Sequence, residues 1–271
     1  MNRLALLCLF LFLQCVFLGC HKKTEPLPSS WQLKQGQVLK YKEKSSIEAS
    51  FVVKGVKVNI STDFVSVFGF KVTKVDAQGN AHIDVEYKWF AVKIDTPGLL
   101  KGFDSRVPGD MKRAKAYLKE MGMELPQRVN ISIVVRPDGK VVESKLKSNQ
   151  ITLRLKKLKF YQAIFLHFPK PKLTLGTQFK NTTNTISFSG IWHESNYTFS
   201  RWTSCGTKMC GKLTARNRYL KNGKKEVGNG TGVVLFSPSG FLYRRQFQAQ
   251  IRLQKKGTKI ANIKSELQYV P

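Results

Sequence analysis

Thiols, imidazoles and a few carboxylates hold the latent chemistry of this chain, and their spacing restricts what they can do. Cys205 and Cys210 have four residues between them, in Trp202-Thr203-Ser204-Cys205-Gly206-Thr207-Lys208-Met209-Cys210. A redox-active pair usually has two residues between its thiols and opens a helix, and two Cys without a close His pair cannot fill four metal sites. Gly206 and the flanking aromatics mark a turn between strands. The pair is therefore expected to close one local disulfide, stabilising at the low end of about 2–4 kcal/mol. His82, beside Asp84 and Glu86, makes a patch able to bind a metal, but a solvated strand face explains it more simply. His193 and Glu194, next to Trp192, form an acid–base pair only if tertiary structure brings them together. Asp95, Asp104 and Asp110 share a Gly/Pro-rich loop, where capping is a simpler role than cation binding. No Gly-x-Ser-x-Gly turn, paired-His helix or phosphate-cradling glycine loop occurs. Gly228, Gly230 and Gly232 alternate within a strand pattern and suggest a bend or a close backbone approach. A hydrolase would have to rest on residues such as His193 or Asp104. The expectation is a non-catalytic protein with no metal and no cofactor.

Cys20 offers a different chemistry. Met1-Asn2-Arg3 is a short positive segment, and Leu4 to Leu18 is apolar except for Gln14. That run is short for a membrane span of roughly 20 residues. It stops at Phe17-Leu18-Gly19-Cys20, and polar His21-Lys22-Lys23 follows. A small residue directly before Cys suits cleavage by a lipoprotein signal peptidase once the thiol carries a diacylglyceryl group. The stretch resembles the bacterial lipobox: Gly19-Cys20 match it, while Phe17 and Leu18 are bulkier than its usual residues. The resemblance implies a signal peptide over 1–19, an acylated (palmitate-bearing) anchor at Cys20 and a polar tether over 20–30, with Pro26, Pro28, Ser29 and Ser30. The address is then the bacterial cell envelope, at the outer membrane or facing the periplasm, with the membrane as partner through the acyl chains. An uncleaved amino-terminal helix is one alternative, disfavoured by Lys22-Lys23 on its outer side. A cleaved, unlipidated secreted chain is the other. Cys8 and Cys15 leave with the leader, so an exported chain keeps Cys205 and Cys210 for an oxidising compartment.

Net charge is +29, a value that often signals nucleic acid. The basic residues are spread along the chain, and an exported protein meets little DNA, so nucleic acid is not expected as a partner. Anionic lipid, an acidic wall polymer or an envelope protein is. Each Lys or Arg near an anionic membrane adds about 1 kcal/mol, which orients an acyl-anchored domain more than it retains it. Lys112, Arg113, Lys115, Arg154, Lys156, Lys157 and Lys159 are the candidates for contact with an anionic surface; a generic solvated face is the plainer reading.

The elements that must position these groups are mostly strands. Ile47, Ala49, Phe51 and Val53 alternate with polar residues, Lys54-Gly55 turns, and Val56, Val58 and Ile60 return. A second turn at Val75–Asn80 precedes Ala81, Ile83, Val85, Tyr87 and Trp89 on one face. Val129 to Val135 is another strand, turned back at Pro137-Asp138-Gly139 into Val141. Asn222-Gly223 and Pro238-Ser239-Gly240 are strong turn signals. Phe241, Tyr243, Arg245, Phe247, Ala249, Ile251 and Leu253 then alternate against Leu242, Arg244, Gln246, Gln248, Gln250, Arg252 and Gln254, a strand of roughly 40 Å. One helix is expected from Asp110 to Met121, packed over a sheet or lying on a membrane. A strand passing into a short helix is expected over 151–168, ended by Pro169. The fold class is mainly β: a large curved antiparallel sheet or open barrel with one or two short helices. Residues 31–271 form one all-β domain or two related lobes divided near Lys170.

Several phrases resemble a loosely defined group of exported bacterial β-rich proteins. They are Trp31-Gln32-Leu33-Lys34-Gln35-Gly36-Gln37-Val38-Leu39-Lys40-Tyr41, Val72 to Ala81, Asp95-Thr96-Pro97-Gly98, Arg136 to Val142, and Phe168-Pro169-Lys170-Pro171 running on to Leu175-Gly176-Thr177-Gln178-Phe179. Such proteins typically have Trp where this chain has Phe179, and the resemblance implies no activity. A weaker likeness, at the level of fold, is to periplasmic lipoprotein and lipid carriers, whose curved sheet encloses an apolar cavity. The expected role is a membrane-anchored surface-binding or scaffold protein. The alternative is lipid or lipoprotein binding in an apolar cavity, motivated by long alternating strands, a basic helix and 18 Phe.

Overall fold

The structure is a computed structural model and describes residues 25–53, 55–96, 99–110, 112–113, 131–146, 164–184, 191–252 and 258–271. Its strands are β1 (Leu27–Pro28), β2 (Val38–Val53), β3 (Val56–Val75), β4 (Ala81–Thr96), β5 (Leu99–Asp104), β6 (Ile131–Val135), β7 (Val141–Leu146), β8 (Lys172–Leu173), β9 (Gln178–Asn184), β10 (Ile191–Cys205), β11 (Lys208–Lys221), β12 (Lys225–Ser237), β13 (Phe241–Ile251) and β14 (Thr258–Val270). Twelve of them form one antiparallel sheet in the order β7-β6-β4-β3-β2-β14-β13-β12-β11-β10-β9, with β5 pairing the outer end of β4. Two meanders, β2–β7 and β9–β14, meet where β2 pairs with β14. The sheet does not close: β7 and β9 are its ends.

The turns fall where their chemistry requires. Asn222 and Gly223 both have positive φ, 50° and 72°, the two-residue geometry that Asn-Gly favours in hairpins. The Asp76 carboxylate accepts from Gln78 N and Asn80 N, at 3.0 and 2.8 Å, and so closes the β3–β4 turn. Nothing breaks β3 between its turns, and its 20 residues span roughly 65 Å.

One end of the apolar face is stoppered by the chain itself. Leu27, Trp31, Ile164, Phe165, Leu166, Phe168 and Leu173 pack against Tyr41, Phe68, Phe70, Ile83, Phe199, Leu213 and Phe236 of the sheet in one cluster. Ring contacts tie it together: Trp31 to Phe165 at 4.6 Å, Phe70 to Phe165 at 5.3 Å, and Phe168 to Phe236 at 4.8 Å. Trp31 Nε1 donates to Leu166 O at 3.0 Å, so the indole N–H is satisfied within the stopper. Gly139 sits in the β6–β7 turn with φ +84°, and a Cβ there would lie 1.9 Å from Leu166 O. Only glycine lets the turn and the stopper touch.

Two expected faces are corrected by bulges. The β3–β4 register shifts at Val67/Phe68, with Trp89 opposite Val67 and Tyr87 opposite Phe68. The extra residue, Lys88, turns Trp89 to the other face, where Arg106 lies over its ring at 4.0 Å. The shift at Leu235/Phe236 skips Tyr243, so Leu242, expected on the polar side, is fully buried. Past each bulge the alternation resumes in the opposite phase. The strand expected to reach Leu253 is assigned as Phe241–Ile251, about 36 Å long. Of the expected helix at Asp110–Met121, the described part is its first turn, where Arg113 N donates to Gly109 O at 3.1 Å. The rest of it, and 151–163, lie outside the described residues. The described stopper comes from 27–31 and 164–173 instead.

Candidate functional site

Cys205 and Cys210 are joined, with Cα atoms 5.8 Å apart, at the β10–β11 hairpin. Cys20 and residues 1–19, the expected signal peptide, lie outside the described residues, as do Lys115, Arg154, Lys156, Lys157 and Lys159. Lys112 and Arg113 are exposed on the helical turn, and Arg113 is ion-paired with Asp110.

The candidate catalytic and metal groups do not converge. His193 and Glu194 are neighbours in β10, so the strand's pleat sends them to opposite faces. Glu194 meets Lys180 at 2.6 Å and Arg218 at 3.7 Å, whereas His193 Nε2 meets Ser195 Oγ at 2.9 Å. Asp84 accepts from Ser132 and Glu86 pairs with Lys88, leaving His82 3.9 Å from Asp76. Asp104 and Asp110 do come together, but around donors of the protein: Asp104 N donates to Asp110 Oδ2 at 3.0 Å, and Arg106 clasps Asp104. Hydrogen bonds from Arg106 hold the Asp104 carboxyl down at about 2. Asp95 is elsewhere on β4, opposite Leu100. Among the described residues no three His, Cys, Asp or Glu side chains form a metal-sized group.

Two arrangements stand out instead. On the polar face, the register aligns Lys264, Gln248, Thr231, Arg216, Asn196 and Lys180 in one row across β14 to β9, all exposed. Five strand spacings make that row about 24 Å long. An open hollow of about 1310 Å³ is lined by most of these residues together with Lys44, Asp63 and Glu266 of the same face. Glu266 is neutralised by Arg244 at 2.9 Å, whereas Lys264 and Arg216 make no ion pair among the described residues.

The second arrangement is a buried polar layer on the apolar face beyond the stopper. Glu43, Ser66 and Arg245 lie on one cross-strand row with Leu267 between Glu43 and Arg245. Tyr197, Ser195, Asn217, His193 and Tyr219 stand on the next rows up. Arg245 lies 5.1 Å from the Phe247 ring, and His193 stacks on Tyr219 at 4.9 Å. His193 also meets Phe247 at 5.7 Å although β11 and β12 separate their strands, a distance of about 14 Å in a flat sheet. The sheet is therefore creased here, and glycines make the crease. A Cβ on Gly232 would stand 1.9 Å from the Phe247 ring, and one on Gly230 2.3 Å from Gln248 O. Burial pushes the Glu43 carboxyl up, with the Arg245 charge opposing. Burial likewise drives the His193 imidazole down to about 4, a hydrogen bond with Asn217 opposing the shift and the Arg245 charge adding to it. This layer was missed by the sequence reading, although Arg245 in the apolar phase of the cleanest strand was its signal.

No family model and no curated protein sequence matches the chain. Among solved structures it is similar to a lipovitellin chain described for its lipid–protein interactions, at 10% identity and a TM-score of 0.45, over 88% of this chain. This chain spans about a quarter, 25%, of that lipovitellin chain. It is also similar to DynF from the dynemicin biosynthesis pathway of Micromonospora chersina, at 6% identity and a TM-score of 0.24, over 92% of both chains. A DUF1329 family protein from Desulfovibrio piger follows at 8% identity and a TM-score of 0.17, over 85% of both. Likenesses this faint assign the chain to no family and lend it no ligand.

Proposed function

We propose that the protein is an envelope lipoprotein, held at a membrane by acyl chains on Cys20, that binds an acidic wall polymer through the exposed face of its sheet and carries out no reaction. The cross-strand row from Lys264 to Lys180 supports this reading: amide, hydroxyl and cationic donors in a line, open to solvent. Hydroxyl and amide groups suit the neutral part of such a polymer, and the unpaired Lys264 and Arg216 suit its anionic groups. Across the sheet, the stopper occupies the end of the apolar face that a hydrophobic ligand would otherwise enter. The test is cosedimentation of the mature protein with isolated acidic wall polymer and, separately, with anionic vesicles. Polymer binding that weakens with salt and in Arg216→Ala/Lys264→Ala is expected. Retention by vesicles alone, or by neither, overturns the wall-polymer reading. Mass spectrometry of the mature amino terminus tests the anchor, and an unmodified Cys20 ends it.

One observation favours lipid binding as a second reading. Beyond the stopper, Phe64 stacks on Phe90 at 6.4 Å, and these rings with Ile47, Val92, Ile94 and Phe103 are only half-buried. Co-purifying lipid in native mass spectra would support it; a ligand-free protein would count against it.

A further inference from the structure

The acyl anchor proposed for Cys20 is tied by a short stretch of chain to one end of the sheet. Glu25 follows Cys20 by five residues, a reach of at most about 17 Å. Its carbonyl accepts from Trp202 Nε1 at 3.0 Å, three residues short of Cys205 at the β10–β11 hairpin. Leu27 then lies against Gly211 of the same hairpin, where a Cβ would stand 2.2 Å from it. Trp31 N donates to Pro137 O at 2.7 Å in the β6–β7 turn, and Gln32 N to Gly240 O at 3.2 Å in the β12–β13 turn. A Cβ on Gly79 would be 3.2 Å from Pro137, so the β3–β4 turn is there too. The segment that leads from the anchor thus crosses the stoppered end alone. The opposite tip, where β2 turns into β3, is roughly 65 Å away, the length of the 20-residue β3.

Exposed apolar side chains gather at the same end. Among the described residues, Val38 at the start of β2, Val142 just past the β6–β7 turn, Leu175 before β9 and Met209 at the disulfide hairpin are 42–51% exposed. Of the other exposed large hydrophobics, Val56 sits at the opposite tip and Val107 follows β5. Lys34, Lys140, Lys170, Lys172 and Lys208 stand around the stoppered end, exposed and with no ion pair among the described residues. The acids of its turns are engaged: Asp138 pairs with Arg136 at 2.9 Å, and Asp76 accepts from Asn80. Single exposed apolar residues need no explanation, and lysines such as Lys57 and Lys224 occupy the far tips as well. The tether is what selects this end. We infer that the stoppered end is a membrane-docking surface, an inference that rests on the acylation proposed for Cys20. Val38, Val142, Leu175 and Met209 enter the headgroup boundary, and the lysines meet anionic headgroups. The strands then stand away from the bilayer. Arg216 is eight residues along β11 from Lys208, so the polar row is held about 26 Å out from the hairpin tip.

Fluorescence of the acylated protein in phosphatidylglycerol-containing vesicles tests it. The acyl anchor occupies Cys20 and the disulfide occupies Cys205 and Cys210, so an introduced cysteine is the free thiol that takes an environment-sensitive label. Labels placed by Val38→Cys, Val142→Cys, Leu175→Cys and Val56→Cys are compared for quenching by lipids brominated high on the acyl chain. Quenching at the first three positions is expected to exceed that at the fourth by roughly threefold or more, and any one of the three that fails to fold leaves two. Lys140→Glu/Lys170→Glu/Lys172→Glu, or neutral phosphatidylcholine vesicles, should lower that quenching by about twofold or more while the acyl chains keep the protein floating with the vesicles. Equal quenching at Val56→Cys means that the sheet lies flat, and floating protein quenched nowhere means a tether without docking. Either result, or quenching indifferent to both changes of charge, overturns the inference and leaves the anchor standing. Failure to float removes the anchor and the inference together.

Discussion

The two meanders share one sheet and fill their apolar face with opposite chemistry. In β2–β7 the inward positions near the stopper are Tyr41, Phe68, Phe70, Val72, Ile83, Val85, Ile131, Ile133 and Val135, all buried, with Ser66 a buried and Glu43 a half-buried polar exception. In β9–β14 the same end is apolar, through Phe199, Leu213, Val234, Phe236 and Leu242, but Arg245 shares the row of Val234, Leu213 and Phe199, and the rows above carry Asn217, Ser195, His193 and two tyrosines. Both halves draw stability from the shared stopper. The C-terminal half adds a layer that hydrophobic residues of equal size would make more stable, which points to a role other than stability.

The largest effect expected from breaking this comparison is Phe168→Ala, since Phe168 is 2% exposed and packs on Phe179 and Phe236 of the C-terminal meander. A loss of about 3–5 kcal/mol in urea unfolding is expected. A loss under 1 kcal/mol would mean that the stopper does not hold the sheet.

Next in size is the response to acid. The unfolded His193 takes a proton below its ordinary 6.5, while the folded ring refuses one until about 4. Stability is therefore full above that window and falls as pH drops through it, by about 1–3 kcal/mol. Glu43 runs the other way: its folded carboxyl keeps its proton above the ordinary 4.5, so stability is lost as pH rises past that value. Urea unfolding between pH 4 and 8 should show His193→Gln flattening the acid limb and Glu43→Gln the opposite slope. Unchanged pH dependence in both would remove the titrating layer from the account.

Reduction of Cys205–Cys210 comes third. A loop of so few residues gives about 2 kcal/mol in the chain-entropy model. The lower thermal midpoint should come with intact far-UV circular dichroism, because the β10–β11 ladder continues well beyond the hairpin tip. The smallest effect is on the polar face: Arg216→Ala and Lys264→Ala should each change stability by less than about 0.5 kcal/mol. A larger change would show that the row is structural and not a free surface.

Much of the fold is legible in the chain. Gly55, Asp76 to Asn80, Pro137 to Gly139, Asn222-Gly223 and Pro238 to Gly240 all turn as their residue types dictate. The alternation near Ala81 and Phe247 marks strands. It fails at Trp89 and Leu242, because a bulge inserts one residue and flips the phase without leaving a trace in composition. The start of β2 was hidden for another reason: Glu43 and Ser45 occupy inward positions and break the apolar pattern. Of the candidate site, the disulfide was readable because its loop is local. The His193–Glu194 pair was not, since adjacency in a strand separates side chains.

Local chemistry in the sequence determined the turns, the hairpin disulfide, the dominance of strands and the strong positive charge, each a property of residues close in the chain. Tertiary structure alone decided which polar residues face inward and which meet. Strand register sets Arg245, Glu43 and Ser66 on one row from β13, β2 and β3, and the glycine crease brings His193 to Phe247. No local preference encodes that meeting, because it depends on how distant strands pair and on how sharply the sheet bends where side chains are missing.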